Sequence, residues 1–207
     1  MEIVKPSFNF ESDIDGDKIL QKIEFFARNC YKNEGKITPD SAKNFVKARL
    51  SQKPPHEGIL EHIIVSIRII CDRGISHELV RHRIGSYLQE STRYCNYQKK
   101  GLQFIEPFFF VDDPIRYMMW VKAMNNAEKS YNDLVDAGSS PQEARSVLPN
   151  SLKTDVIVTY NLRQWKHFFR LRCPKGVHPQ MREITIPLLE EFKKKIPIVF
   201  DDLEFQF

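Results

Sequence analysis

From Asp17 to Cys30 apolar side chains recur at Ile19, Leu20, Ile23, Phe26, Ala27 and Cys30. That spacing places them on one stripe of a helix. Thr38-Pro39 offers a cap residue followed by Pro at a first helical position, so a second helix is expected to start there and carry Phe45, Val46 and Leu50. Between Ile63 and Cys71 the period changes to two. Ile63, Val65, Ile67, Ile69 and Cys71 share one face, which predicts a half-buried strand. Asp113-Pro114 opens a long helical stretch that Gly138 closes, and Ser140-Pro141-Gln142-Glu143 reads as a capping box for a short helix ending before Pro149. The β-branched and aromatic run Val156 to Tyr160 predicts another strand, feeding a helix capped by Asn161. Helices and strands both occur, without linker, repeat or low-complexity segment, and an α+β class is expected. One compact domain over residues 1–207, with a mixed sheet flanked by helices, is the expected architecture.

Composition narrows this picture. A chain of 207 residues with 42 % hydrophobic residues and fifteen Phe can bury a large core, and 28 % charged residues fit a folded domain. The net charge of +4 is modest, and acidic residues are interspersed with basic ones, so anionic small molecules are as reasonable a target as nucleic acid. No apolar run reaches the roughly 18 to 20 residues of a membrane span, and MEIVKPSFNF lacks the pattern of a secretion signal. A cytoplasmic location without membrane attachment is expected. Cys30, Cys71, Cys95 and Cys173 form no C-x-x-C pair, so neither a zinc ribbon nor a disulfide framework is suggested.

Candidate chemistry concentrates between Arg81 and Arg93. Arg81-His82-Arg83, then Ser91, Thr92 and Arg93, put three guanidiniums, an imidazole and hydroxyls into thirteen residues. Guanidinium forks match phosphate and carbonyl oxygens in a way that a lysine point charge does not. Taken alone, such a stretch is also what a solvated basic helix end looks like. Beyond Asn161, Arg163, His167 and Arg170 fall at i, i+4 and i+7, a polar stripe opposite Leu162, Trp165 and Phe169. In His56-Glu57-Gly58-Ile59-Leu60-Glu61-His62 the two histidines are six apart, whereas a zinc helix needs them at i and i+4, so no metal is expected.

The segment RHRIGSYLQESTRY, Arg81 to Tyr94, resembles the RHR-x7-S-x-R signature of the flavin-dependent thymidylate synthases. HEGILEH upstream resembles that family's H-x-(S/T)-x-x-E-H element. EARSVLP (Glu143 to Pro149), YNLRQWKHFFRLR (Tyr160 to Arg172) and HPQ (His178 to Gln180) resemble its remaining blocks in the same order. The chain departs from the family at Gly58, where Ser or Thr is usual, and in the longer turn Cys173 to Val177 before His178.

The resemblance implies that the enzyme methylates dUMP to dTMP, with methylenetetrahydrofolate as one-carbon donor and NADPH-reduced FAD as reductant. It further implies a homotetramer whose sites lie between subunits, with no nucleic-acid partner. Residue by residue, it assigns Glu78, Leu79, Val80, Arg81, Gln89, Glu90, Ser91, Thr92, Arg93, Arg145 and Arg172 to dUMP. To FAD it assigns His56, Gly58, Arg81, His82, Arg83, Gln89, Asn161, Leu162, Arg163 and His167. Arg172 falls where the family places the arginine that polarises the pyrimidine ring. Two other classes compete. One is a cysteine-dependent enzyme using Cys173; the other is a nucleic-acid-binding module using Arg81, Arg83 and Arg93 with Tyr87, Tyr94 and Tyr97 as stacking platforms.

Overall fold

The computed structural model describes residues 1–206. In chain order its regular elements are β1 (Glu2–Val4), β2 (Ser7–Phe10), α1 (Gly16–Asn29), α2 (Ser41–Leu50), β3 (Ile64–Asp72), α3 (Arg73–Leu79), β4 (Ser86–Gln89), α4 (Tyr97–Lys100), β5 (Gln103–Ile105), α5 (Pro114–Asp136), α6 (Pro141–Ala144), β6 (Lys153–Asn161), α7 (Leu162–Arg172) and α8 (Pro179–Lys195). A 3₁₀ turn, Glu57–Leu60, precedes β3. A four-stranded sheet has the order β2-β3-β6-β4, and β1 pairs in parallel with β5. The α+β class expected from the sequence is the one found.

The described residues group into two compact units, one of residues 1–8, 68–82 and 87–157, the other of residues 9–67, 83–86 and 158–206. The core of the first gathers Leu102, Phe104, Trp120, Met124, Tyr131 and Leu152 around α5. Asp113 caps α5 by accepting from the Arg116 N–H, and Gly138 follows its end with φ 95°, a left-handed conformation that glycine adopts without strain. In the second unit an aromatic cluster joins Trp165, Phe168 and Phe169 of α7 to Phe192 of α8 and to Phe200. Leu20, Ile23 and Val46 are fully buried on α1 and α2.

The strand face read from the period of two is buried throughout: Ile63, Val65, Ile67, Ile69 and Cys71 are each at most 5 % exposed. Two expectations need correction, and one helix was not foreseen. The second helix starts at Ser41 and not at Pro39, because the Ser41 hydroxyl bonds the backbone of Thr38 and closes a turn first. β6 begins at Lys153, three residues before the apolar run, since its inward face also includes the buried Thr154. Helix α3 follows β3 with no loop; Asp72 ends the strand and caps the helix by accepting from the Ile75 N–H at 2.7 Å.

Candidate functional site

Chemistry-bearing residues collect in two places, one in each unit. In the first unit they lie on the segment after β4 and on the turn after α6. The Thr92 hydroxyl, buried, accepts from Arg145 Nη1 at 3.3 Å, and Arg93 Nε donates to Gln142 Oε1 at 3.1 Å. Two bonds between the same two segments thus hold Arg93 and Arg145 in one neighbourhood. The α6 capping box, in which Glu143 accepts from the Ser140 N–H at 2.8 Å, fixes the turn from which Gln142 and Arg145 project. Both guanidiniums are bonded to neutral partners, and among the described residues neither meets a carboxylate. Ser91 Oγ accepts from the Arg93 N–H at 3.3 Å and its carbonyl accepts from Cys95 at 3.0 Å, a compact turn that presents the hydroxyl beside the arginine.

Other residues assigned to the nucleotide are placed differently. Gln89 Nε2 donates to Ser76 and Thr154 hydroxyls at 2.8 and 3.2 Å, so much of its amide is already engaged. Glu90 takes the Lys153 ammonium at 3.1 Å and the Tyr97 hydroxyl at 3.2 Å. Burial, followed by the charge of Glu90, pushes the Tyr97 hydroxyl well above its ordinary pKa. Leu79 is fully buried, which leaves its backbone as its only polar resource, while Val80 and Arg81 are exposed and Glu78 is half-buried. Tyr97 is 5 % exposed and cannot serve as the stacking platform that a nucleic-acid reading requires of it.

In the second unit, Arg83, Ile84, Asn161, Arg163, Gln164, His167 and Arg170, with Glu57 and Glu61, line a cleft of about 370 Å³. Asn161 caps α7 by accepting from the Gln164 N–H at 2.8 Å, so the stripe of Arg163, His167 and Arg170 is aimed from a fixed helix start. The loop carrying Arg83 is set by glycine. A Cβ at Gly85 would sit 2.1 Å from the Tyr160 ring, a distance no side chain tolerates. Of the residues assigned to flavin, Arg83, Asn161, Arg163 and His167 are brought together here. His56 and Gly58 are exposed at the 3₁₀ turn and outside the lining, His82 is buried in the first unit, and the side chain of Leu162 is fully buried. Arg172 ends α7, half-buried, and its carbonyl accepts from the Thr185 hydroxyl at 3.0 Å.

The charges of this cleft are partly satisfied. Arg163 pairs with Glu61, and Arg170 forks onto Glu57 with contacts of 2.7 and 3.3 Å. Burial would raise the Glu57 carboxyl, but the hydrogen bond and charge of Arg170 and the charge of Lys166 outweigh it and hold the group below its ordinary range. Arg83 and His167 carry no side-chain bond among the described residues, and Gln164 Nε2 is a buried donor with no partner. A buried unmatched amide costs about 1 to 3 kcal/mol, so a ligand acceptor at that position is favoured. Guanidiniums for phosphate, amide and imidazole for ring heteroatoms, and one orphaned donor form a set that fits a flavin nucleotide. Sequence reasoning missed Glu57, Glu61, Gln164, Lys166 and Asp202. A count of acidic residues in the HEGILEH block against the arginines of α7 was the available signal for the first two.

Cys173 is fully buried, and burial pushes its thiol up to about 11, the reverse of what a nucleophilic cysteine requires. No helix among the described residues is long and apolar enough to cross a membrane.

The fold and its two clusters define an α+β protein that gathers cationic and amide donors at one site in each unit. A family model of the thymidylate synthase complementing proteins matches residues 15–198, and the chain belongs to that family. Among its relatives, a flavin-dependent thymidylate synthase of Mycolicibacterium gilvum is 32 % identical over 96 % of this chain and 84 % of its own. One of Geobacter sulfurreducens is 34 % identical over 85 % of this chain and 78 % of its own. The solved structure of a UMP/dUMP methylase from Streptomyces cacaoi, bound with 5-Br dUMP, superposes with a TM-score of 0.81 at 21 % identity, covering 97 % of this chain and 96 % of that one. At that identity it speaks to the fold alone.

Proposed function

We propose that the protein is a flavin-dependent thymidylate synthase, converting dUMP to dTMP with methylenetetrahydrofolate as one-carbon donor and NADPH as the source of reducing equivalents. The observation that carries this reading is the pair Arg93 and Arg145, held together through Thr92 and Gln142 and facing no carboxylate among the described residues. A dianionic phosphate satisfies both guanidiniums with charge-assisted bonds of the kind that Arg makes best.

Arg81, Arg93 and Arg145 hold and orient dUMP, Ser91 hydrogen-bonds it, and Glu78, Gln89, Glu90 and Thr92 frame it with the backbone of Leu79 and Val80. Ser91 acts as a ligand and not as a nucleophile, since its hydroxyl serves the Arg93 turn and no base lies beside it in sequence. When bound, FAD supplies the reducing equivalents that complete the new methyl group. Arg83, Asn161, Arg163 and His167 would hold it through their side chains, with Arg81, His82, Gln89, His56 and the backbone of Gly58 and Leu162 completing the set. Arg172 directs its guanidinium at a pyrimidine carbonyl and stabilises the negative charge that develops there as C5 becomes nucleophilic. Donors of this kind contribute roughly 3 to 4 kcal/mol to a transition state.

The chain works as one domain in the cytoplasm, and a homotetramer completes each site with residues from neighbouring copies. The test is anaerobic. Purified protein should show oxidised flavin absorbance that NADPH bleaches, and should form dTMP once dUMP and methylenetetrahydrofolate are added. Colourless protein that takes up no added FAD would sink the assignment.

A further inference from the structure

Arg163, Lys166, His167 and Arg170 occupy i, i+3, i+4 and i+7 on α7, close to a single helical face. They do two different things. Arg163 and His167 line the cleft, whereas Lys166 is 2 % exposed and is committed inward. Its ammonium lies 2.7 Å from Asp202 Oδ1 and 3.5 Å from Glu57 Oε1. Arg170 reaches the same two carboxylates, Glu57 at 2.7 Å and Asp202 at 3.1 Å. Two cations and two anions therefore balance, and each cation touches both anions. Asp202 is delivered by Phe200, which is fully buried against Phe169 and Phe192 at centroid distances of 5.9 and 5.1 Å. Asp202 lies beyond residue 198, where the family match stops.

A partly buried ion network such as this one, with Lys166 and Glu57 inside and Arg170 and Asp202 nearer solvent, adds little stability over an apolar cluster of equal volume, because desolvation offsets the attraction. What it does impose is position, since Lys166 cannot leave its two carboxylates without stranding a buried ammonium, and Arg170 is the nearer partner of the largely buried Glu57. Glu57 begins the 3₁₀ turn, between His56 and Gly58, and lines the same cleft as Arg163 and His167. We propose that Glu57 and Asp202 are positioning residues: through Lys166 and Arg170 they lock the Glu57–Leu60 turn to α7 and so set the spacing of the cleft walls that grip the ligand. This rests on the reading that the cleft takes the flavin.

The test compares FAD dissociation constants and the visible circular dichroism of bound flavin in wild type, Arg163→Ala, Glu57→Gln, Asp202→Asn and Asp202→Glu, with thermal unfolding of each FAD-free protein alongside. Glu57→Gln and Asp202→Asn should weaken FAD by about tenfold or more, the scale on which small misplacements are felt, and should alter the flavin's dichroism. Asp202→Glu, which keeps the charge, should restore both. Should Glu57→Gln fail to fold, Asp202→Asn carries the test, because that carboxylate is half-exposed. Wild-type affinity and dichroism in Asp202→Asn, while Arg163→Ala loses FAD, overturn the positioning role alone. Unchanged dichroism with a loss of affinity that merely tracks the melting temperature also overturns it. A wild type that binds no FAD overturns the functional reading beneath it.

Discussion

The two clusters use arginine in opposite ways. After β4 and α6, Arg93 and Arg145 are steadied by neutral groups, Gln142 and Thr92, which fix the guanidiniums without neutralising them. Around the cleft, Arg163 and Arg170 are neutralised by Glu61, Glu57 and Asp202, and only Arg83 keeps its charge unmatched among the described residues. An arginine held by neutral partners keeps its full charge for an anion; one held by a carboxylate has its charge offset and offers a ligand only its remaining N–H donors. The first cluster therefore fits a phosphate that brings its own charge, and the second fits a larger ligand recognised by shape, by amides, by the remaining donors of Arg163 and by the unmatched cation of Arg83.

The largest expected effect separates chemistry from binding. Arg172→Ala should lower dTMP formation by on the order of a hundredfold or more, while NADPH still bleaches the flavin. An interaction that strengthens as charge develops lowers the barrier more than it improves ground-state binding. Rapid-mixing measurements of flavin reduction, set beside dTMP formation, check this; near wild-type dTMP formation would move the role to Arg145. Next in size is Arg93→Lys, which should weaken dUMP by roughly tenfold because a point charge replaces a fork, with FAD content unchanged. Equal loss of both ligands would make Arg93 a structural residue.

A smaller effect concerns pH. Glu57 and Asp202 are held below the ordinary carboxylate range, Lys166 and Arg170 outweighing the opposing effect of burial. Their ionised forms stabilise the fold fully above the unfolded values near pH 4, and that contribution is lost as pH falls through the lowered folded values. Wild type should therefore lose stability more steeply than Glu57→Gln below about pH 4, as denaturant titrations at several pH values would show; parallel profiles would contradict it. The smallest expected effect is that of Cys173→Ala, where activity per folded molecule should stay near wild type, because the thiol is buried and its pKa is raised to about 11.

What the sequence disclosed follows from how local each signal is. The caps Asp113 and Asn161, the Ser140–Glu143 box and the alternation through Cys71 act within a few residues, and all are found in place. The resemblance named Arg93, Arg145, Arg163 and His167 from short motifs. The bonds that organise those residues were not legible, because Thr92–Arg145 spans 53 positions and Arg170–Glu57 spans 113. Lys166 was hidden for a related reason: in a helix pattern a lysine next to Trp165 reads as solvated, and only the tertiary delivery of Asp202 makes its burial affordable. Helix α3 went unread because its cap, Asp72, is also the last residue of a strand and Gly74 sits in its first turn.

The division of labour between the clusters is tested most directly by equilibrium titration of FAD and of a dUMP analogue into Arg93→Lys and Arg163→Ala, side by side with wild type. A crossed result is predicted: Arg93→Lys loses nucleotide affinity and keeps flavin, whereas Arg163→Ala loses flavin. Loss of both ligands in equal measure from each variant would contradict it.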